Sequence, residues 1–402
     1  MIRIALITTW FPPQKGVAVN RMFAFAKYLS ENSSFHIDVY SLGDKNTILK
    51  LKDNLKNYQF KNNDLINYFK ANPQDSFFVH NTKTVIRIVL AKLKTSRYKN
   101  WCDKTSNNLE LNHAESPYQV IISSYAPEEA HLIALNFIKK NKVPWIADMR
   151  DEMSKNPNIS KSGRDRLRDV EHQINQYATC LTSVSKPILE DFKKLCPNIQ
   201  IFEEIRNGFD HTVSVSNWKY PEDNVLKIGY FGTFYADIKP DVFFHSFIKV
   251  IHLLKANIEF HFYGVHKNFT VPKEIEDRLK IFPTISYQES ITKMAEMDAN
   301  LLILPKGERK GVYSGKIFDY LSSKRPILAF VDLEDVAASL ITNFNAGYVV
   351  DYNDYVKGAE SILHWENDLE SGSIRCAKDE QILSLHRKYQ VKKLEEIILK
   401  ML

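Results

Sequence analysis

Short runs that are apolar at nearly every position recur along this chain, and each is followed by a stretch of helical periodicity. Ile2–Thr9 (IRIALITT), Gln119–Ser123 (QVIIS), Cys180–Val184 (CLTSV), Asn300–Leu304 (NLLIL) and Ile327–Val331 (ILAFV) are such runs. The last of these, Ile327–Val331, is apolar throughout and suits a strand buried on both faces. Between the runs, Asn20–Leu29 sets Met22, Phe23, Phe25, Ala26 and Leu29 on a helical face, and Pro240–Leu254 does the same with Val242, Phe243, Phe247, Val250 and Leu254. The pattern predicts an α/β chain of parallel strands and crossover helices.

In chain order, the strand Ile2–Thr9, a loop Phe11–Gly16, the helix Asn20–Leu29 and the strand His36–Leu42 form a β-loop-α-β unit. The loop carries one glycine and no GxGxxG, so a dinucleotide fingerprint is absent and a nicotinamide-dependent oxidoreductase is the least supported reading. Gly16 and Arg21 are candidates to contact a phosphate or a sugar; the alternative is a plain turn with a solvated arginine. Residues 44–117 read poorly. Within them Val85–Leu93 (VIRIVLAKL), flanked by Lys83, Arg87, Lys92, Lys94, Arg97 and Lys99, can form a basic amphipathic helix. Such a helix lies either on anionic lipid or with its apolar face on the core. Strand and helix then alternate from Gln119 to Ile205. The short strand Trp145–Ala147 ends in Asp148, Met149, Arg150 and Asp151, of which Asp148, Arg150 and Asp151 would either bind ligand hydroxyls or buttress a cleft by pairing. A polar stretch, Asp210–Asn224, reads as an interdomain linker. A second α/β unit starts at Leu226, and Glu380–Leu402 reads as helical throughout. The expected domains are 1–210, 211–385 and a terminal helix, 386–402, packing back on the first.

The chemistry concentrates in Gly311–Val331, GVYSGKIFDYLSSKRPILAFV. It reads as loop, short helix, turn and strand, the helix stopped by Pro326. The first turn of that helix offers free backbone N–H groups to the preceding loop, an anion site suited to phosphate. Lys316 adds a full positive charge, and Asp319, a turn further on, can accept hydrogen bonds from a ribose. A capped helix bearing a surface Lys and Asp is the alternative.

Composition narrows the function classes. The chain has 402 residues, 44% of them hydrophobic, which supports about two ordinary cores. No apolar run approaches a membrane span, and MIRIALITTWF reads as a first strand and not as a secretory signal. Cys102, Cys180, Cys196 and Cys376 are scattered without a CxxC, so neither a disulfide framework nor a zinc site is expected, and a reducing cytoplasm fits. A net charge of +6 does not argue for nucleic acid. The low glycine count, 13, with abundant Lys, Asn and Ile, fits an AT-rich bacterial genome.

Two α/β halves, a glycine turn after the first strand of each and a nucleotide-type site late in the second resemble the two-domain GT-B glycosyltransferases. Within them the chain is most similar to the family-four, retaining enzymes that assemble bacterial surface polysaccharides. The resemblance covers nearly the whole chain and is strongest at PWIADMRD (144–151), SVSKPILEDF (183–192), RNGFD (206–210), GYFGTFYADIKP (229–240) and SGKIFDYLSSKRPILA (314–329). It implies two Rossmann-like domains facing each other across a cleft. The activity it implies is transfer of a sugar from a nucleotide-sugar to a glycan or lipid-linked glycan, as in capsule or O-antigen assembly. Further implications are a cytoplasmic protein, with peripheral contact at the inner membrane face, and no cofactor or metal. Gly232 and Thr233 would lie near the diphosphate or sugar, and Lys239 would stabilise the leaving diphosphate. Ser314, Gly315 and Lys316 would complete the phosphate site. Asp319 falls on the second acid of the family's E-x7-E motif, which holds the ribose. The chain departs from that motif twice: the second acid is Asp, and the first acid's position is Gly311, with Glu308 out of register. In the first domain Gly16 matches the glycine loop facing the donor. His131, in SSYAPEEAH (123–131), matches a histidine facing the cleft, or is a helix histidine without a role. Two other readings remain open. One is a non-hydrolysing nucleotide-sugar epimerase; the other is a non-catalytic glycan- or nucleotide-binding subunit, which the missing acid at Gly311 keeps in view.

Overall fold

The computed structural model describes residues 1–62, 76–92, 98–213, 218–234, 238–266 and 268–402. The chain divides into two compact units, unit 1 (residues 1–205 and 391–402) and unit 2 (residues 206–390).

Unit 1 is built on eight strands: β1 (Ile2–Thr8), β2 (Phe35–Gly43), β3 (Thr47–Lys52), β4 (Leu55–Lys61), β5 (Val120–Tyr125), β6 (Trp145–Met149), β7 (Cys180–Ser183) and β8 (Ile201–Glu204). Their order is β3-β4-β2-β1-β5-β6-β7-β8. All pairs are parallel except the edge pair β3–β4. The apolar runs do bury both faces. Ile4 and Leu6 of β1 join one core with the helix Val17–Leu29 and with Val391, Leu394, Ile397 and Ile398 of the last helix. Ala5 and Ile7 join the opposite core, under the helices Lys99–Glu115, Glu129–Asn141, Lys161–Tyr177 and Lys186–Leu195.

Unit 2 holds β9 (Val225–Phe231), β10 (Asn257–Tyr263), β11 (Leu279–Phe282), β12 (Ala299–Leu304), β13 (Ile327–Val331) and β14 (Gly347–Asp351), in the order β11-β10-β9-β12-β13-β14. Every pair is parallel. Leu328 and Phe330 of β13 pack under the helices Asp241–Val250 and Tyr355–Glu370, while Ile327, Ala329 and Val331 pack with Ile317, Phe318 and Leu321 on the other face.

The boundaries differ from those expected at 210 and 385. Arg206–Asp210 belongs with unit 2 because it is tied to the first turn of the last helix, Arg387–Met401, and to the residue before it. Arg206 N donates to Gln390 Oε1 at 2.8 Å, Phe209 bridges His386, and Asp210 pairs with Arg387. Gly208 is needed there, since a Cβ would lie 1.9 Å from the Leu385 carbonyl oxygen. The described part of the expected linker lies inside unit 2, and residues 214–217 lie outside the described residues. The terminal stretch is not helical throughout: helices Asp379–Ser384 and Arg387–Met401 are separated at Leu385–His386. In the poorly legible region, β3 and β4 precede a helix, Phe77–Lys92, that contains the start of the expected basic helix. The side chains of residues 87–92 and the whole of 93–97 lie outside the described residues. No described helix is long and apolar enough to cross a membrane.

Candidate functional site

In unit 2 the strand order turns at β9, with β10 on one side and β12 on the other. Open parallel sheets bind ligands at such switch points, outside the carboxyl ends of the strands. The turns after β9 and β10 are tied together there: Gly232 N donates to the Tyr263 carbonyl at 2.9 Å, and Thr233 Oγ1 to the Gly264 carbonyl at 3.1 Å. Gly232 has φ +112°, and a Cβ on it would meet Lys316 Cε at 3.0 Å and Nζ at 3.2 Å. Glycine is therefore required both for its backbone and for the room it leaves the lysine.

Lys316 lies in the first turn of the helix Gly315–Ser322, which follows the loop after β12. Its Nζ donates to the Tyr230 hydroxyl at 2.8 Å and sits 4.1 Å from the centre of that ring. Neither contact supplies a negative charge, and no described carboxylate pairs with it. Burial without a counter-ion pulls the ammonium down to about 8. The helix has no acidic residue in its first turn, and the Ser314 side chain makes no cap bond. Its amide groups and the Lys316 ammonium thus form a positive site next to the Gly232 turn. Among the predicted residues, the structure brings together Gly232, Ser314, Gly315 and Lys316, with Thr233 adjoining.

Asp319 sits one turn along. Its Oδ1 accepts a hydrogen bond from the Tyr287 hydroxyl at 2.8 Å, and its other oxygen takes none from a described residue. Burial pushes this carboxyl up to about 6, against the Tyr287 bond and the charge of Arg387. Behind it, His211 Nε2 bonds Ser322 Oγ at 2.7 Å and His211 Nδ1 approaches the Tyr287 hydroxyl at 3.3 Å. Burial lowers His211 to about 4, so it is neutral at physiological pH. Tyr287 and His211 were not expected. A signal for Tyr287 existed: Ser286 and Glu289 form a capping box, an S-x-x-E pattern that starts a helix at residue 287.

Two features set limits on this site. At Gly311, where a first acid would stand, the backbone has φ +81° and its N–H donates to Asp335 Oδ1 at 2.7 Å. Lys239 is exposed and lines a separate concavity with Asp241, His245, Asn268 and Thr270. It makes no described contact with Lys316, and residues 235–237, which lead to it from the Gly232 turn, lie outside the described residues.

The switch point of unit 1 falls between β2 and β5, on either side of β1. Gly16, φ +132° and exposed, is the N-cap of the helix Val17–Leu29, with nothing within 4 Å of where a Cβ would be. Arg21 is not solvated. It is 2% exposed and grips Asp148, 0% exposed, through Nε at 3.1 Å and Nη2 at 2.6 Å. Asp148 also accepts from Ser124 and Thr182, both at 2.8 Å, and these partners hold its carboxyl below the usual range against burial. Arg21 is thus neither on a ligand nor solvated, a correction of both expectations for it, and Asp148 follows the pairing alternative, because neither side chain reaches the surface. His131 is corrected likewise. It is 0% exposed, bonds Ser123 Oγ through Nδ1 at 2.7 Å, and is lowered to about 3 by burial. Arg150 and Asp151 are partly exposed at the end of β6. Arg150 donates from Nε to the Tyr125 carbonyl at 2.6 Å and from Nη2 to the Ala126 carbonyl at 2.9 Å. Among the described residues no cluster of His, Cys, Asp and Glu is placed to hold a metal ion.

No protein-family model matches the chain, and no curated protein matches its sequence. Its fold is that of solved GT-B glycosyltransferase structures. HepE of Anabaena, in complex with UDP and glucose, aligns at TM-score 0.61 and 13% identity over 100% of both chains. The lipopolysaccharide outer core galactosyltransferase WaaB, in apo form, aligns at TM-score 0.63 and 13% identity over 100% of both chains. TarM aligns at TM-score 0.61 and 12% identity over 99% of both chains.

Proposed function

From the GT-B fold and the positive site in unit 2, we propose that the chain is a glycosyltransferase that moves a sugar from a nucleotide-sugar donor to a glycan or lipid-linked glycan acceptor. The observation that carries this is the buried Lys316 ammonium, without a counter-ion among the described residues, set beside the Gly232 turn and the amide groups that open the helix Gly315–Ser322. A diphosphate is the ligand such a site fits. Solved structures of the same fold hold UDP or UDP-glucose.

Breaking the donor's glycosidic bond builds negative charge on the departing diphosphate. Lys316 and the helix amides stabilise that charge as it forms, which is electrostatic catalysis. Positive side chains then perform the charge neutralisation that a metal ion performs in other transferases. Asp319 holds the ribose through the oxygen that Tyr287 leaves unbonded, while Thr233 lies against the diphosphate or sugar. In unit 1, Arg150 and Asp151 face the acceptor. Retention of configuration and a place in capsule or O-antigen assembly complete the reading. So does a cytoplasmic location with peripheral membrane contact, which the exposed Phe78, Val79 and Val85 on the helix Phe77–Lys92 support.

The test is a thermal-shift panel of UDP, GDP, CMP and related nucleotides, followed by transfer assays with the matching donors. A ligand at a hundredfold excess over its Kd stabilises the fold by ~2.7 kcal/mol. If no nucleotide shifts the transition, the proposal fails. Gly311 favours one second reading, a non-catalytic nucleotide- or glycan-binding subunit, because no carboxylate stands there to hold a donor sugar. Nucleotide binding without transfer to any acceptor would support it. Turnover of the donor without any acceptor would instead indicate an epimerase.

A further inference from the structure

The five tryptophans of this chain are treated unequally by the fold. Trp101, Trp145 and Trp365 are fully buried, and Trp218 is half-buried with its Nε1 on Asp298. Trp10 is 38% exposed, yet it is not loose. It follows β1, at the switch point of unit 1's sheet, where such sheets bind ligands. Its indole N–H donates to the Ala126 carbonyl at 2.7 Å and its backbone N–H to Thr8 Oγ1 at 3.1 Å. The carbonyl it holds is also held by Arg150 Nη2 at 2.9 Å. The polar edge of the indole is thus satisfied from within the protein, which fixes the ring plane and leaves apolar surface facing water.

We infer that Trp10 is a stacking platform for a pyranose ring of the acceptor, with Arg150 and Asp151 bonding the hydroxyls at its rim. A pyranose fits this chemistry because one of its faces presents C–H groups while its edge carries hydroxyls. It therefore needs a fixed aromatic plane bordered by a few polar groups. Arg150 stands beside the indole by sharing its carbonyl, its Nη1 makes no described hydrogen bond, and Asp151 follows it in the chain. Trp10 is a binding residue here and takes no part in bond making. The inference rests on the glycosyl-transfer reading for its purpose, but the contact itself is testable without turnover.

The experiment uses the full chain labelled with 15N-tryptophan, the Trp10 indole resonance being assigned from Trp10→Phe. Methyl glucoside, galactoside, mannoside and N-acetylglucosaminide are titrated, and UDP and GDP are titrated separately. The expected result is a saturable shift of the Trp10 indole by at least one pyranoside. Trp10→Ala should weaken that pyranoside on the order of tenfold, the loss expected for one stacking face. Trp10→Phe, which keeps an aromatic face, should retain most of the affinity and keeps the test valid if the alanine variant does not fold. Nucleotide affinity should be the same in all three proteins. No shift from any pyranoside overturns the inference, as does a Trp10 shift produced by the nucleotides. Failure of every nucleotide to bind, with the pyranoside shift intact, would instead remove the transferase reading and leave the platform standing.

Discussion

Binding of a nucleoside diphosphate at Lys316 should take up a proton in alkaline solution. Without ligand, the Lys316 ammonium is held at about 8, down from an ordinary 10.5, because burial strips its water and no described carboxylate replaces it. The folded state therefore binds fewer protons than the unfolded state between about pH 8 and pH 10.5, and this group's contribution to stability rises with pH across that window. Below about pH 8 the ammonium is charged in both states, and its burial costs about 3 kcal/mol, from ~1.4 kcal/mol per pKa unit. An arriving diphosphate supplies the missing negative charge and returns the lysine toward its ordinary range. At about pH 9 the free protein carries roughly a tenth of a proton on Nζ and the complex nearly a full one, so uptake is roughly nine-tenths of a proton. The nucleotide's own terminal phosphate, with a second pKa near about 6, is silent there. Affinity should fall about tenfold per pH unit from about pH 8 upward, until the lysine of the complex itself titrates. Calorimetry in two buffers of different ionisation enthalpy measures the uptake directly, and Lys316→Met should abolish it. A binding enthalpy independent of buffer near pH 9, with a Kd flat from pH 7 to about pH 10, would show that the phosphate does not meet this ammonium.

The other expectations are simpler. Lys316→Ala should lower kcat about 100- to 1000-fold, as loss of one transition-state donor does, with the folded circular-dichroism spectrum kept. Asp319→Asn should raise stability at neutral pH by on the order of 2 kcal/mol, because a carboxyl raised from 3.8 to about 6 contributes stability that is complete only below the unfolded value and is lost as pH rises to about 6. The same variant should weaken nucleotide binding, and urea titrations at about pH 4 and about pH 8, where the gain should be several-fold larger at the latter, check it. Arg21→Met should destabilise unit 1 by ~3–5 kcal/mol by leaving Asp148 buried and unpaired, read as a lower urea midpoint. Gly208→Ala should destabilise by about 1–3 kcal/mol, since its Cβ would run into the Leu385 carbonyl.

What could be read from the sequence was what the backbone decides locally. The strand β13 was legible as doubly buried because every one of its residues is apolar, and both of its faces are covered. The short helix was legible from its Ser-Gly opening and its Pro326 stop, and with it the place of Lys316. Burial was not legible, because it comes from elements far away in the chain. Nothing in the local sequence shows that Arg21 turns inward to an aspartate 127 residues later, or that His131 is sealed under Ser123 and Trp145. The charged motif PWIADMRD illustrates the division. Its pattern reads as one cluster, yet Asp148 points into the sheet and is spent on four internal hydrogen bonds, while Arg150 and Asp151, past the strand's end, reach the surface. Strand alternation separates residues of like chemistry by face, and the end of the strand frees those that follow. The same reasoning applies in unit 2. Lys316 is poised because the fold withholds a counter-ion from it, whereas Asp319 is given Tyr287 from another helix. An anion site and a hydroxyl-binding site therefore arise one helical turn apart, from two residues whose surroundings the sequence could not supply.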